Sequence, residues 1–457
     1  MSGGLRERLL RLRPQSPAAA STGSAAAAEA YVSGRQAGAE TYESGRQAET
    51  EALHPAFIRL GVTEETNAHG SFLLRKIEYP LHFRHGRYAL GELQAKARYL
   101  APVSDRQNKQ NEAVLHRPIE PERLLFLDTE TTGLGIGAGN VPFMIGIGWI
   151  EPDSGRFVVE QTLIRHPGEE RAMLAYLAGR MANRTHLATY NGRTFDWPVL
   201  VNRFILNGWR RTGPEPGHLD FLHPCRALWR NTLESCRLSR IEEEKLEIDR
   251  GEDVPGSLAP ALYMQFLNDG DADGLQGVYR HNERDVLTLA TLAVHFGALL
   301  ADGEEEGADD FEAPAGAEEL YRTAAWLETH GAAKKSARLY ALLAASEEPQ
   351  TARWWLPVAA HYKRLGRFDL AVPLWRRTAE RAERAAIPSY DAHIELAMHY
   401  EHRLKDYGGA LELAERALDL ALRRPPAAGG AARSRQEREE LQRRIERLRR
   451  KSGLNRG

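Results

Sequence analysis

The sequence predicts an α/β fold, a mixed sheet flanked by helices, followed by an all-α helical repeat domain. Between residues 122 and 300, apolar runs (LLFL, VPFMIGIGWI, FVVEQTLI, HLATY) alternate with helical patterns such as EERAMLAYLAGRMA and DWPVLVNRFILNGW. Alternation of that kind builds a sheet covered by helices. Beyond residue 318 the strand signal stops, and three blocks follow in which an amphipathic helix, a Gly-containing turn and a second helix recur. At 457 residues the chain is long enough for two or three cores.

Taken in order, residues 1–53 are rich in Ala, Ser, Gly and Gln and contain the near-duplication SGRQAGAET, SGRQAETE. Such a segment lacks the apolar surface to offset its ordering entropy, so disorder is expected. Residues 54–121 read as a strand-rich lead-in, because FLLRKIEYPLHFRHGRYALGEL alternates apolar and polar residues with HG at a turn. His82, His85 and Arg87 fall on that hairpin, as a surface strand or as a phosphate contact. Residues 122–300 form the α/β domain. The stretch 301–317 is acidic, carries Gly and Pro and has no periodicity, which marks a linker.

Residues 318–425 hold the three helical blocks: YRTAAWLETHGAAKKSARLY, LPVAAHYKRLGRFDLAVPLW and IELAMHYEHRLKDYGGALELA. Gly331 and Gly366 are about 35 residues apart and Ala337 and Ala371 about 34, close to a tetratricopeptide period. The blocks resemble the tetratricopeptide repeat family, the third carrying a small insertion before Ala410. That resemblance implies a protein partner. Residues 426–457 form a basic Arg/Glu tail helix, a solvated cap or a contact to nucleic acid.

Bulk properties remove several classes. Lys plus Arg number 61 against 63 for Asp plus Glu, so the chain as a whole exerts no pull on nucleic acid or membrane. Any such attraction must be local. Cys225 and Cys236 form neither a CxxC knuckle nor a disulfide framework, which fits a reduced, cytoplasmic setting. The N-terminus has no apolar region behind its basic residues, and no uninterrupted apolar run approaches about 18 residues, so secretion and membrane spanning are not expected.

The chemistry centres on carboxylates. In LLFLDTET, Asp128 and Glu130 are two apart on a strand and face the same side, about 6.5 Å from each other. Paired carboxylates there repel and are costly to desolvate without a cation, and a hard divalent ion is the natural partner. HLATYNGRTFDWPVL reads as strand, Asn-Gly turn and helix, opening near Asp196 with Pro198 in the first turn. Asp196 is either a further ligand or a helix cap. In VYRHNERDVLTLATLAVHF, His281 and Asp285 share one helical face, as a local polar pair or a catalytic couple.

In combination, DTET, YNGRTFDWP and HNERD resemble the DEDD exonuclease branch of the ribonuclease H-like superfamily. The middle motif is similar to that of proofreading domains in family B DNA polymerases. NAHGSFLLRKIEYPL, HLDFLHPCRALWR, SCRLSRIEEEKLEI and DVPGSLAPALY resemble the YprB-type ribonuclease H-like family, so the likeness covers roughly residues 67–297. It implies that Asp128, Glu130, Asp196 and Asp285 hold two divalent cations, Mg²⁺ or Mn²⁺, in a two-metal 3′ to 5′ exonuclease. It places His281 as the residue that positions or deprotonates the attacking water, and Thr131, Asn191, Arg193 and Phe195 beside a single-stranded 3′ end of DNA or RNA. One departure stands out. DEDD enzymes usually carry Tyr four residues before the last Asp or His five before it, whereas His281 is at the four-residue spacing. Tyr279, six residues upstream and about 120° away on a regular helix, leaves the identity of the base open.

Other features are weighed beside these. GLGIGAGN is followed by a strand, so it is a loop at the rim of the site and no dinucleotide fingerprint. Trp197, Phe195 and Trp229 are core residues or base-stacking platforms, and Arg193 and Arg203 are candidate phosphate contacts. His223 and Cys225 lack zinc-ligand spacing and read as packing. Asp220 is one extra acid, or simply begins a helix. A catalytically inactive scaffold is the alternative function. A glycosidase is disfavoured because Asp128 and Glu130 lie on one side of a strand instead of flanking a bond.

Overall fold

The computed structural model describes residues 53–457 apart from 134, 136, 138, 210–214, 252, 302–311, 425–430 and 454–457. The expected disorder of 1–52, most of the acidic linker and part of the glycine loop therefore lie outside the described residues. The strands are β1 (Val62–Asn67), β2 (Gly70–Pro80), β3 (Arg84–His85), β4 (Tyr88–Ala89), β5 (Leu124–Thr131), β6 (Pro142–Glu151), β7 (Arg156–Leu163), β8 (His186–Thr189) and β9 (Gly217–Asp220). The longer helices are α1 (Glu170–Met181), α2 (Asp196–Leu206), α3 (Leu222–Trp229), α4 (Ala259–Asp269) and α5 (Leu275–Leu300). They are followed by α6 (Ala317–Thr329), α7 (Ala333–Ala345), α8 (Ala352–Arg364), α9 (Phe368–Glu383), α10 (Asp391–His399), α11 (Tyr407–Arg423) and α12 (Ala431–Lys451).

Seven strands form one mixed sheet in the order β1-β2-β7-β6-β5-β8-β9. Neighbours from β1 to β5 pair antiparallel, while β8 and β9 run parallel to β5. The lead-in thus contributes β1 and β2, the two strands at one end of the main sheet, and its HG turn is the Gly86 bend (φ 63°) between β3 and β4. The lead-in also carries short helical segments, among them Pro55–Arg59, Glu92–Lys96 and Ala101–Gln107. Strand β5 is central, and Leu124, Leu125, Phe126 and Leu127 are all buried. Continuous apolar runs are what a strand covered on both faces requires.

Helix α5 crosses one face, and small residues let it approach. A Cβ on Gly146 would collide with the amide of Asn282, and one on Gly148 would come within 2.6 Å of Val286 Cγ1. Pairing places Arg75, Gln161, Gly146 and Asp128 in one row across β2, β7, β6 and β5. Arg75 Nη1 donates to Gln161 Oε1 (2.9 Å), Gln161 Nε2 to Asn282 Oδ1 (2.8 Å) and Asn282 Nδ2 to Asp128 Oδ2 (2.9 Å). Asn282 is fully buried, so this chain of bonds fixes α5 over the sheet and orients Asp128. Phe72, three residues from Arg75 and on the other face, meets Tyr176 of α1.

The C-terminal region is all helical. Gly331 (φ 87°) turns the chain between α6 and α7, and Gly366 (φ 72°) does so between α8 and α9. Between α10 and α11 a π-helical turn at Tyr400–Leu404 adds one loop of backbone and ends at Lys405 (φ 57°), which accounts for the insertion seen in the third block. The apolar core runs without a break from Phe126 and Phe296 into Trp326, Leu339 and Trp375. Trp229 Nε1 and Lys245 Nζ both donate to Glu319 (each 2.7 Å), and Lys335 Nζ donates to the Ala298 carbonyl (2.7 Å). Composition changes at the acidic linker, while the apolar core includes residues of both α5 and α6. Leu441, Ile445 and Leu448 of α12 are buried, and Arg447 and Lys451 pair with the buried Glu401. Among the described residues no helix is long and apolar enough to cross a membrane.

Candidate functional site

Strand β5 leaves the apolar layer at its C-terminal end, and the change from LLFL to DTET happens there. Register with β6 breaks between Glu130 and Thr131, a bulge that re-aims the last residues of the strand. Asp128 is half-buried and Glu130 is buried. Between them Thr129 donates through Oγ1 to Asp196 Oδ1, linking the strand to the first residue of α2.

The position of Asp196 is set by the turn before it. Asn191 adopts φ 66°, a conformation that Asn tolerates better than most residues. Its N–H donates to Asp220 Oδ1 (2.8 Å), as does that of Leu222 (3.0 Å), while the Arg193 N–H donates to Asp220 Oδ2 (3.3 Å). Asp220 is fully buried at the end of β9. It is a clamp on the 191–193 turn, and only secondarily the start of a helix. Trp197 N–H then donates to the Gly192 carbonyl (2.8 Å), closing the turn into α2.

Helix α5 supplies the remaining groups. Asn282 faces β5, and Arg250 and Asp253 lie against His281 and Asp285. Arg250 reaches Asp285, donates to Asp253 Oδ2 from Nη1 (2.9 Å) and to Glu242 Oε1 from Nη2 (2.9 Å). Glu242 is fully buried and also accepts from Thr288, whose hydroxyl meets His85 Nε2 (2.9 Å). His85 is thus a half-buried residue behind α5, its pKa pushed down to about 4 by burial first and by Arg250 and Arg284 second. Its ring is turned toward α5 through Thr288, away from the surface role expected of it. Sequence reasoning assigned no chemistry to Asn282, Arg250, Asp253 or Glu242. The only signal was that they lie inside HNERD, DVPGSLAPALY and SCRLSRIEEEKLEI or beside them.

Electrostatics show four acids converging. Burial pushes the Asp128 carboxyl well above its usual range, and the charges of Asp285, Asp196 and Glu130 push it further. Glu130 is raised for the same reasons, by burial and then by Asp285 and Asp196. Asp196 is pushed up to about 6, again chiefly by burial, against hydrogen bonds from Thr129 and its own helix. Among the described residues no cationic side chain forms an ion pair with Asp128, Glu130 or Asp196. Asp285 differs, because Arg250 neutralises it.

Carboxyl oxygens are hard donors, and those of Asp128, Glu130 and Asp196 have no cationic side chain paired with them among the described residues, a ligand set that suits Mg²⁺ or Mn²⁺. The carboxylates stand apart, however: among the described residues, the one group with three ligand atoms within 4.8 Å of each other is His54, Asp271 and Asp273. That group is an exposed ion network, in which Asp273 pairs with Arg59 (2.6 Å) and His54 caps the helix that follows it. Asp285 is held to Arg250 instead.

The other expected residues are placed as follows. Thr131 is buried and its hydroxyl donates to the Gly133 carbonyl (2.7 Å). Asn191 and Arg193 are exposed on the turn and Phe195 is half-buried. Arg203 pairs with Glu170, which removes it from the phosphate-contact candidates. Trp197 and Trp229 are core residues. Tyr279 is fully buried edge-on to Phe57, its hydroxyl without a hydrogen-bond partner and its pKa raised by burial, so its side chain belongs to the core.

Residues 125–296 match the model of the RNase_H superfamily, a span that holds all four acids. Over 384 residues the chain is 37% identical to the uncharacterized protein YprB of Bacillus subtilis (strain 168), covering 83% of this chain and 86% of that protein. With its mixed sheet and the acids at the end of the central strand, the chain belongs to the YprB family of the ribonuclease H superfamily.

Proposed function

We propose that the protein is a metal-dependent 3′ to 5′ exonuclease acting on single-stranded or frayed nucleic acid. The observation that carries this reading is the convergence of Asp128, Glu130 and Asp196, each destabilised as an anion and none paired with a cation. A fold retains such a cluster only where something else supplies positive charge. In this reading Asp128, Glu130, Asp196 and Asp285 hold two divalent ions. When bound, such ions activate a water molecule and stabilise a departing 3′ oxygen. The chain's own residues do the rest. Asn282 and Thr129 orient two of the carboxylates, His281 takes the proton of the attacking water, and Arg193 and Phe195 border the path of the strand. Tyr279 is unsuited to the role of base because its hydroxyl is sealed in the core.

Family membership supports a nuclease and contact with nucleic acid; the 3′ polarity rests on the DEDD pattern alone. The helical region, with Gly turns at 331 and 366, is assigned as a tetratricopeptide-like module for a protein partner. A second reading, an inactive nucleic-acid-binding scaffold, is favoured by one observation: Arg250 already neutralises Asp285. The test is degradation of 3′- and 5′-labelled single-stranded DNA and RNA with Mg²⁺ or Mn²⁺, comparing wild type with Asp128→Asn. Stepwise loss from the 3′ end, absent in the variant, supports the exonuclease. No cleavage of any substrate with either metal supports the scaffold.

A further inference from the structure

We infer that Asp253 is a positioning residue that fixes the imidazole of His281 with its proton on Nδ1, so that the bare Nε2 faces the carboxylate cluster. This rests on the nuclease reading only for its consequence in catalysis; the tautomer itself does not depend on it. Asp253 Oδ2 lies 2.8 Å from His281 Nδ1, and both side chains are only 12–13% exposed.

The same Nδ1 also has Arg250 Nη1 at 3.1 Å, and the two contacts demand opposite protonation. An arginine only donates, whereas a carboxylate only accepts. Two observations decide for the carboxylate. The Asp253 contact is the shorter. Arg250 Nη1 already has an acceptor in the same Oδ2 at 2.9 Å, whereas a bare Nδ1 would set its lone pair against that carboxylate oxygen. His281 Nε2 is then turned toward Asp285, whose Oδ2 lies 3.7 Å away.

Asp253 is itself held. Burial opposes its charge, but hydrogen bonds from Arg250 and His281 outweigh that and keep its carboxyl below the usual range. Its Oδ1 lies 3.5 Å from Arg284 Nη1. Three residues on, Gly256 completes the cradle: a Cβ there would sit 2.9 Å from His281 Nε2. The segment Asp253 to Gly256 therefore grips the imidazole at one nitrogen and leaves room at the other. A carboxylate on one nitrogen orients the ring and frees the second to accept a proton from water, a balanced transfer that forms imidazolium beside the Asp253 anion.

The experiment begins with the chelator-treated wild type labelled with ¹⁵N-histidine. Long-range ¹H–¹⁵N correlation reads each ring's tautomer, and His281→Gln identifies the signal. Protonated Nδ1 is expected; an Nε2–H tautomer overturns the assignment without requiring any Asp253 variant to fold. The second arm is cleavage by Asp253→Asn, expected to lower kcat about 10- to 100-fold with KM unchanged. On a His281→Ala background the same substitution should cost nothing further. An equal loss on both backgrounds overturns a role through His281. If His281→Ala and Asp128→Asn leave any cleavage unaltered, the nuclease reading fails, and the tautomer still decides the Asp253 assignment.

Discussion

Replacing Asp196 by Asn should make the metal-free protein more stable at neutral pH while abolishing cleavage. The Asp196 carboxyl is buried, and its pKa stands at about 6 against an ordinary 3.8. A folded-state pKa raised above the unfolded value means that the native state binds the proton more tightly. The associated stability is present below about pH 4 and is lost as pH rises through about 6. A shift of roughly two units at 1.36 kcal/mol each is about 3 kcal/mol. Asn keeps an oxygen to accept from Thr129 Oγ1 and carries no charge, so the variant escapes that loss. It also relieves the repulsion felt by Asp128 and Glu130. Chelator-treated wild type and Asp196→Asn should unfold at similar temperatures at pH 4, with the variant ahead by roughly 3–4 °C at pH 8. Added Mn²⁺ should restore the wild type by about 2.7 kcal/mol at one hundred times its Kd and leave the variant where it was. A variant less stable than wild type at pH 8, or an advantage that persists at pH 4, would refute the electrostatic reasoning.

Three further outcomes follow from particular contacts. Asn282→Ala leaves Gln161 and Asp128 without their buried partner and should cost about 1–3 kcal/mol in urea unfolding, with a larger relative loss of activity than of stability. Asp220→Ala strips three backbone N–H groups of their acceptor. It should destabilise by about 2–3 kcal/mol and weaken Mn²⁺ binding measured by calorimetry, whereas Asp220→Asn retains part of both. Glu401 is held at about 2, because donation from Arg447 and Lys451 outweighs the cost of burial. Its contribution is present above about pH 4.5 and is lost as pH falls through about 2. Glu401→Gln should therefore loosen α12 at neutral pH by about 1–3 kcal/mol, read as faster proteolysis of the C-terminal helix.

Much of the fold was legible because the signals are local. LLFL and MIGIGW announce buried strands by apolar continuity, and the 26-residue α5 announces itself by its period. The Asn-Gly turn before Asp196 was readable from the turn chemistry of its residues. What was hidden depends on distant partners. Arg250 meets Asp285 from 35 positions away, and Asn282 meets Asp128 from 154. Spacing along one helix placed His281 and Asp285 on a common face, but nothing local tells that Asp253 grips the far side of the ring. His85 misled for the same reason: a polar residue beside a turn looks exposed until α5 is laid over it. The acidic linker looked like a divider because composition changes there, whereas Phe296 and Trp326 pack across the boundary.

The most direct test of the central claim is a crystal structure of the protein grown with Mn²⁺, read by anomalous scattering. Two peaks about 3.5–4 Å apart among Asp128, Glu130, Asp196 and Asp285, with Asp285 drawn from Arg250 toward them, are the predicted result. Ordered carboxylates with no anomalous density between them, and Asp285 still bound to Arg250, would contradict the claim that these acids form a metal centre.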